Sequence, residues 1–336
     1  MKFRKLFITL IWILCSAILF AGSYAGDFMS IGNGISTSAM GGAFAAVAND
    51  GSAIYWNASG ISQIRETEFG IMRAFLYQNL ASFDNLTFCQ PLPNGVTIGI
   101  NWSRLTIDDI PVFLEEHLIH NVDYRSTYLE FNLSGIPDRK ITSTDDLFQI
   151  AFSKHLHREL NLGWMFFDVP LDLHFGANVK FIKRKIDTFS GSCVSFDFSF
   201  LFRTKLSVLF ERDWLGDLAF GMNLQDLGNS TISWNTASSH RDEIPMNTKI
   251  GLAFVQPVNS IKSIFTLSAD FDSIYDEVKH YGLECDYDDL VALRLGLLDN
   301  DFSTGVSIKY RKFIIDYAFV TNVIANTNRL GLRYRF

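Results

Sequence analysis

Thiols, basic stretches and long apolar runs are all scarce in this chain of 336 residues. Of its four cysteines, the three beyond residue 25 (Cys89, Cys193 and Cys285) are far apart, so we expect neither a disulfide framework nor a thiol metal site. The formal net charge is −7, and without a basic stripe nucleic-acid binding is excluded. Beyond residue 25 no apolar run reaches the roughly 20 residues of a membrane-spanning helix. Extensive strand pairing is therefore the expected source of stability.

The N-terminus has the layout of a secretory signal peptide. A short basic start precedes an uncharged apolar run from Leu6 to Phe20, and the small residues Ser23 and Ala25 suit cleavage by a signal peptidase. The apolar run is too short for a helix that spans a bilayer. We therefore predict a signal peptide over residues 1–25, export of the protein, and a mature chain that begins near Gly26.

The clearest pattern after the N-terminus is alternation with a period of two, which is typical of strands with unlike faces. From residue 171 to 181, apolar residues alternate with polar residues or glycine, and similar alternation recurs over 265–271 and 281–287. Aromatic residues make up 14% of the sequence, and 31 of its residues are phenylalanine. Many aromatic residues without a long apolar segment are typical of a membrane β-barrel.

Alternation continues to the last residue of the chain. Leu330, Leu332, Tyr334 and Phe336 share one face of the final segment, and its other face consists of arginines and glycine. This end is similar to that of outer-membrane barrels, which commonly finish in such a strand with a terminal aromatic residue that the assembly machinery reads. We therefore predict that Tyr334 and Phe336 form a barrel-assembly signal and that the barrel-assembly machinery is a partner.

About fourteen segments have roughly the 9 to 11 residues that a tilted strand needs to cross a bilayer. Because an even count closes an antiparallel barrel, the predicted fold is all-β, a transmembrane antiparallel β-barrel of about 14 strands over residues 67–336. A soluble β-sandwich also alternates, but it turns its apolar faces inward, whereas the membrane barrel turns its charged faces inward. The predicted segments are 67–77, 82–90, 95–104, 145–155, 171–184, 190–204, 215–224, 246–256, 262–272, 279–287, 290–297, 302–310, 312–320 and 328–336.

The lengths of the predicted connections agree with a membrane barrel, in which longer loops share the outer side and short turns share the periplasmic side. The two longest connections, 105–144 and 225–245, are the third and the seventh, so both fall on the outer side. The connection 156–170 is an exception, because it is long and falls among the short turns. Either the strand boundaries are wrong there, or a short amphipathic element such as Leu160 to Phe167 lies at the periplasmic rim.

Residues 26–66 differ from the rest of the chain, because they are rich in glycine, alanine, serine and asparagine and show no sustained alternation. Small residues allow a backbone to pack closely against a surrounding wall. We therefore predict that residues 26–66 form a plug, or hatch, folded into the lumen ahead of the first strand. A phosphate-binding glycine-rich loop would need a following Lys or Thr motif and a βαβ context, and neither is present.

Two passages in the chain resemble a known family. Met40 to Phe44 and Tyr55 to Gly60 resemble an N-terminal passage of the FadL/TodX (OMPP1) outer-membrane protein superfamily, most closely of its PorV/PorQ branch. Residues 315–319 and 326–329 resemble the last hairpin of that branch. The family's Asn-Pro-Ala-Gly is replaced by residues 57–60, Asn-Ala-Ser-Gly, so the proline turn is lost. The resemblance implies a barrel of about this strand count with an N-terminal hatch.

Residue groups that could perform chemistry are few. The pairs His117 with His120 and His155 with His157 lack a thiol or carboxylate framework, so we expect solvated histidines rather than a metal site. Acidic residues in the turn 286–289 lack the spacing of a calcium loop. No Gly-x-Ser-x-Gly elbow singles out a serine nucleophile. The sequence thus predicts no metal, no cofactor and no enzymatic activity.

The resemblance implies two alternative functions. In the first, the barrel passes hydrophobic small molecules, such as fatty acids or hydrocarbons, across the outer membrane through an apolar pocket between plug and wall. In the second, it is a type IX secretion-associated barrel whose loops 105–144 and 225–245 hold or shuttle exported proteins. The expected partners are outer-membrane lipid and either a hydrophobic small molecule or a secreted cargo protein. The candidate plug and pocket residues are Gly41, Gly42, Phe44, Ile54, Tyr55, Trp56, Asn57 and Gly60.

Overall fold

The structure, a computed structural model, describes residues 26–113, 137–161, 163, 168–274, 278–322 and 325–336. The predicted signal peptide lies outside the described residues. The same holds for His117, His120 and the middle of the predicted loop 105–144. In the described part of the chain, no helix is long and apolar enough to cross a membrane.

Sixteen strands in the described ranges belong to one antiparallel sheet. They are β1 Glu68–Leu76, β2 Ala81–Leu92, β3 Val96–Val112, β4 Arg139–Asn161, β5 Asp168–Ile186, β6 Phe189–Lys205, β7 Asp217–Gln225, β8 Ser230–Trp234, β9 Arg241–Ile244, β10 Asn247–Val258, β11 Ser263–Asp272, β12 Val278–Tyr287, β13 Val291–Leu298, β14 Asp301–Tyr310, β15 Phe313–Val320 and β16 Thr327–Arg335. Because β1 pairs with both β2 and β16, the sheet closes on itself. Fourteen strands form the closed barrel, and β8 and β9 form a hairpin beside β6. The predicted 14-stranded antiparallel barrel is confirmed.

The strand faces are inverted relative to those of a soluble protein. On β11, Leu267 is 60% exposed while its neighbour Ser268 is 1% exposed. On β5, Phe181 is 44% exposed while Lys180 is fully buried. A continuous apolar outer surface of this kind is stable only against lipid. The soluble β-sandwich is therefore excluded, and the protein lies in the outer membrane.

The connections define two ends of the barrel. At one end, the backbone N–H of Phe336 donates to the carbonyl of Thr67 at 3.0 Å, and the short connections after β2, β10, β12 and β14 lie at the same end. We call it the turn end. The opposite end, the loop end, has the connections 113–138 and 226–246. Because bacterial barrels keep short turns in the periplasm, the loop end faces the outside.

The strands differ in length around the barrel. Strands β3 to β6 contain 17, 23, 19 and 17 residues, whereas β12 to β16 contain 8 to 10. At the loop end, residues 189–197 of β6 extend beyond its last residue pair with β7, Phe198–Leu224. A strand rises about 3.3 Å per residue. The rim at the loop end is therefore high along β3–β6 and low along β12–β16.

Two sequence-based boundaries were wrong. The predicted connection 156–170 is mostly strand, because β4 and β5 stay paired as far as Asn161 and Asp168. Leu160, where the alternative amphipathic element was predicted to begin, belongs to β4, and residues 164–167 lie outside the described residues. The predicted loop 225–245 contains the hairpin β8–β9. In both places the strands leave the lipid, so apolar and polar residues no longer alternate.

Residues 26–66, called the N-terminal segment below, lie against the inward faces of the strands. Three wall side chains donate to its backbone carbonyls: Asn178 to Ile54 at 2.8 Å, Ser303 to Ala39 at 3.1 Å and Arg329 to Gly32 at 2.7 Å. The segment contains the short helices Asp27–Ser30, Ile35–Ala39 and Ala53–Trp56 and the 3-10 helix Ala58–Gln63. Elsewhere the described helices are the single turns Tyr77–Asn79, Pro93–Gly95, Leu206–Leu209 and Asn259–Ile261.

Inward-facing glycines allow the N-terminal segment to approach the wall closely. A Cβ atom added to Gly296 would lie 2.0 Å from the backbone nitrogen of Gly41, and one added to Gly221 would lie 2.0 Å from the carbonyl oxygen of Ala45. Any side chain at these positions would displace the segment. The glycine belt, as we call the wall glycines in contact with the segment, consists of Gly99, Gly176, Gly221, Gly251, Gly282, Gly296, Gly305 and Gly331.

Candidate functional site

A cavity of about 480 Å³, the upper cavity, lies at the loop end between the N-terminal segment and the wall. Its wall residues come from the loop-end termini of β7 and β10 to β14. Polar and apolar side chains both line it. The apolar lining residues outside the aromatic pair described next are Met29, Ile244, Pro245, Ile274, Val278 and Leu298.

An aromatic pair on the helix Ala53–Trp56 forms one side of the upper cavity. The rings of Tyr55 and Trp56 meet edge to face, with centroids 5.4 Å apart and planes at 90°. Wall amides fix this helix, because Asn223 donates to the carbonyl of Trp56 at 2.9 Å and Gln225 donates to that of Tyr55 at 2.9 Å. The rings are thus held in place from the barrel wall.

Charged groups lie opposite the aromatic pair. Lys249 on β10 forms an ion pair with Asp272 on β11, and its Nζ lies 5.1 Å from the centre of the Trp56 ring. On β12, Nδ1 of His280 is 2.7 Å from the carbonyl oxygen of Gly41, and Nε2 is 3.9 Å from Oδ2 of Asp272. All three side chains are at least nine-tenths buried. The strands and the N-terminal segment are therefore joined at this cavity by polar contacts.

A buried ion triad supports another side of the upper cavity. Nζ of Lys180 is 2.8 Å from Oδ1 of Asp197 and 2.7 Å from Oδ1 of Asp226, and Asp226 lines the cavity. Ser195 donates its hydroxyl to Asp226 at 2.7 Å. Since breaking a buried pair leaves an uncompensated charge, this triad fixes the start of the connection after β7.

A second cavity of about 180 Å³, the lower cavity, lies at the turn end. Met40 and Phe44 of the N-terminal segment line it, together with Val255 on β10, Thr266 on β11 and Glu284 on β12. The upper cavity is lined by the same three strands. The two cavities therefore lie along one stretch of wall, on opposite sides of the segment.

Residues 41–45, called the crossing below, separate the two cavities along that wall. Oδ2 of Asp270 accepts the backbone N–H groups of Phe44 at 2.7 Å and Ala45 at 2.6 Å. Ser268 donates its hydroxyl to the carbonyl of Ala43 at 2.9 Å. Side chains of β11 thus fasten the crossing by its backbone rather than by its side chains.

The residues proposed from the sequence as one plug pocket are distributed over several places. Tyr55 and Trp56 line the upper cavity, and Phe44 lines the lower one. Gly41 and Gly42 line a third cavity of about 70 Å³ that shares Trp56 and His280 with the upper cavity.

Ile54, Asn57 and Gly60 pack against the wall or within the segment. Ile54 contacts Gly99 of the belt, and Gly60 lies against the carbonyl of Ala48. Asn57 donates to the carbonyl of Ala45 at 2.6 Å, and its Oδ1 accepts the backbone N–H of Ser59. Asn57 therefore starts the 3-10 helix by capping it.

Sequence reasoning missed Lys249, Asp272 and His280. All three lie on inward faces within three residues of the loop end of their strands. A charged residue on the polar face near a long loop was the available signal. This signal alone does not identify the three residues, because alternation indicates the face of a residue but not its neighbours across the lumen.

The remaining candidates lie away from the cavities. Both histidines are within hydrogen-bond distance of Oδ1 of Asp172, with Nε2 of His155 at 2.8 Å and Nδ1 of His157 at 2.9 Å. Within the described ranges, no group of three or more His, Cys, Asp or Glu side chains is arranged to hold a metal ion. The ring centroid of Tyr334 is 4.8 Å from that of Phe313 and 5.4 Å from that of Phe336.

No family model and no curated protein matches this chain. Solved structures match its fold. The Ralstonia pickettii toluene transporter TbuX has a TM-score of 0.53 at 10% identity, covering 92% of this chain and 100% of its own. The Pseudomonas putida toluene transporter TodX has a TM-score of 0.51 at 11% identity, with 90% and 96% covered. The CymD monoaromatic hydrocarbon channel has a TM-score of 0.51 at 9% identity, with 94% and 99% covered. At these identities the likeness establishes the fold alone.

Proposed function

We propose that this barrel passes hydrophobic small molecules across the outer membrane and receives them in the upper cavity. The observation that carries the proposal is the cavity itself, about 480 Å³ in volume, with the Tyr55–Trp56 pair and six further apolar residues around it. Small-molecule sites typically have volumes of about 300–1,000 Å³, apolar walls and a few polar groups. The solved structures with this fold include toluene transporters and a monoaromatic hydrocarbon channel, which supports the same class of ligand.

The route that we propose runs along β10–β12, from the upper to the lower cavity. The N-terminal segment acts as the plug, because the crossing lies between the two cavities. Four hydrogen bonds, from Ser268, Asp270 and His280, hold the crossing on this wall. At about 0.5–1.5 kcal/mol for each bond, local release costs only a few kcal/mol, well below global unfolding. Transient release of the crossing is thus sufficient to join the two cavities.

We also propose that the chain belongs to the FadL/TodX superfamily, in its PorV/PorQ branch, and that it is not an enzyme. The support is the passage Met40 to Phe44 and Tyr55 to Gly60 together with the barrel fold. The role in type IX secretion stays an alternative from the sequence alone. Much of the loop on which it depends, residues 114–136, lies outside the described residues.

Binding of toluene to the purified barrel tests the proposal. Calorimetry in a nonionic detergent should show saturable binding, and Trp56→Leu should weaken it about tenfold, since an aromatic contact contributes about 0.5–1.5 kcal/mol beyond area burial. The matched control is Trp214→Leu, because Trp214 is exposed near the turn end. A barrel without saturable toluene binding would contradict the proposed function. Equal losses of toluene affinity in both variants would show that Trp56 is not part of the binding site.

A further inference from the structure

We propose that the upper cavity selects its ligands by charge, admitting uncharged and positively charged ring-sized molecules and excluding carboxylates. This inference rests on the proposed function, because it concerns the ligand class of the same cavity. It decides between the fatty acids and the hydrocarbons that the sequence left open, since fatty acids are anions near neutral pH.

The charged lining of the upper cavity is mainly acidic. Asp226, Asp272, Asp299 and Asp301 line it, whereas Lys249 is the one lysine or arginine among its described lining residues. The ammonium group of Lys249 is already paired with Asp272. An incoming carboxylate would therefore find no unpaired cation on these walls.

Two carboxylates remain uncompensated at the mouth. Asp299 lies between β13 and β14, and Asp301 is the first residue of β14, so both lie at the rim of the loop end. Among the residues that the structure describes, neither forms an ion pair with a lysine or arginine. Like charges at a mouth repel an approaching anion over roughly the Debye length of about 8–10 Å.

The ring N–H donors of Trp56 and His280 in the upper cavity are engaged. The indole N–H of Trp56 donates to the carbonyl of Asn33 at 2.6 Å, and Nδ1 of His280 is bonded to the carbonyl of Gly41. A carboxylate removed from water needs a cation or several donors, and these groups cannot supply them. Exclusion of anions therefore continues beyond the mouth.

The same walls accept a donor head group. Nε2 of His280 has no hydrogen-bond partner in the described part of the chain, although the side chain is only 7% exposed. With Nδ1 donating to Gly41, Nε2 of the neutral ring is an acceptor, which suits a hydroxyl or an ammonium group. Trp56 already holds one cation over its ring, that of Lys249. A protonated amine is stabilised in the same way.

Three probes that share one ring test the inference: benzyl alcohol, benzylamine and benzoate. Calorimetry on the full-length barrel in a nonionic detergent should show benzyl alcohol and benzylamine binding about tenfold or more tightly than benzoate. In the double variant Asp299→Asn with Asp301→Asn, the ratio between the affinities for benzyl alcohol and benzoate should become smaller. The matched control is Asp288→Asn with Asp289→Asn, since these carboxylates lie in a turn at the opposite end of the barrel. This control should leave the ratio of the two affinities unchanged.

Each outcome decides a separate question. Equal binding of benzoate and benzyl alcohol to the unmodified barrel overturns charge selection but leaves the proposed function intact. Absence of binding for all three probes counts against the proposed function and the inference with it. If the double variant does not fold, the same titrations of the unmodified barrel are repeated in about 0.5 M salt. Salt at this concentration screens the charges at the mouth, so of the three affinities only that for benzoate should rise. If the ratio between the affinities for benzyl alcohol and benzoate does not depend on salt, the role of Asp299 and Asp301 is contradicted.

Discussion

At the scale of single residues, Asp270 is the side chain on which the position of the crossing depends most. Its buried carboxyl oxygen Oδ2 accepts two adjacent backbone N–H groups, those of Phe44 and Ala45. Asp270→Asn should weaken this contact by about 1 kcal/mol, because the oxygen of a neutral amide is a weaker acceptor than a carboxylate oxygen. Hydrogen–deuterium exchange of the peptide over residues 40–47 should then become about fivefold faster.

The matched control for Asp270 is Asp288→Asn, which changes an exposed carboxylate in a turn. In this control, hydrogen–deuterium exchange over residues 40–47 should match that of the unmodified protein. If Asp270→Asn also leaves this exchange unchanged, the crossing is held by packing rather than by the carboxyl group.

The sequence placed Tyr55, Trp56 and Phe44 in one predicted pocket, whereas in the structure Tyr55 and Trp56 line the upper cavity and Phe44 does not. Phe44 lies in the lower cavity because the backbone at residues 41–45 passes between the two cavities. Local sequence does not indicate where a segment without regular structure turns. The partners Lys249 and His280 could not be assigned for a similar reason, since their contacts link positions more than 190 residues apart.

At the scale of elements, the glycine belt makes the wall and the N-terminal segment one packed unit. Gly296→Val should displace the segment, because the new Cβ would lie 2.0 Å from the backbone nitrogen of Gly41. Overpacking of this kind costs about 1–3 kcal/mol. Proteolysis within residues 27–66 should become faster in this variant, and the melting temperature in detergent should fall.

Ala269→Val is the matched control, because it enlarges a residue on the lipid face of β11. This control should keep both the protease resistance and the melting temperature of the unmodified barrel. An unchanged melting temperature in Gly296→Val would show that the segment tolerates displacement from the belt.

The barrel strands were predictable where they cross lipid and unpredictable where they leave it. All fourteen predicted segments coincide with barrel strands, because lipid outside and polar groups inside impose alternation. The extension of β4 beyond residue 155 lacks that constraint, since His157 and Arg158 both face water or the rim. The hairpin β8–β9 was missed for the same reason.

At the scale of the whole molecule, a buried ion network joins the N-terminal segment to the seam where the barrel closes. Arg333 on β16 bonds Asp316 on β15 at 2.8 Å and Asp50 of the segment at 3.0 Å. Arg333→Met should destabilise the barrel by about 3–5 kcal/mol, because two buried carboxylates lose their cation. The temperature at which the folded band disappears on a gel in sodium dodecyl sulfate should fall accordingly.

Arg139→Met provides the comparison, since the pair Arg139–Asp187 lies on the high rim at the loop end and its arginine is exposed. An exposed pair contributes about 0–1 kcal/mol, so this variant should keep the transition temperature of the unmodified barrel. Equal transition temperatures in Arg139→Met and Arg333→Met would mean that the seam closes without help from the segment.

The sloping rim has a consequence for where a ligand is captured. Strands β3–β6 extend further at the loop end than the other strands, but the upper cavity opens beside the short strands β12–β14. We therefore expect its mouth to lie nearer than the high rim to the layer of head groups and inner sugars of the surrounding lipopolysaccharide. A hydrophobic molecule that has already dissolved in that layer reaches the mouth sideways, along two dimensions. The layer itself acts as the reservoir, so uptake should depend on the partition coefficient of the molecule more than on its aqueous concentration.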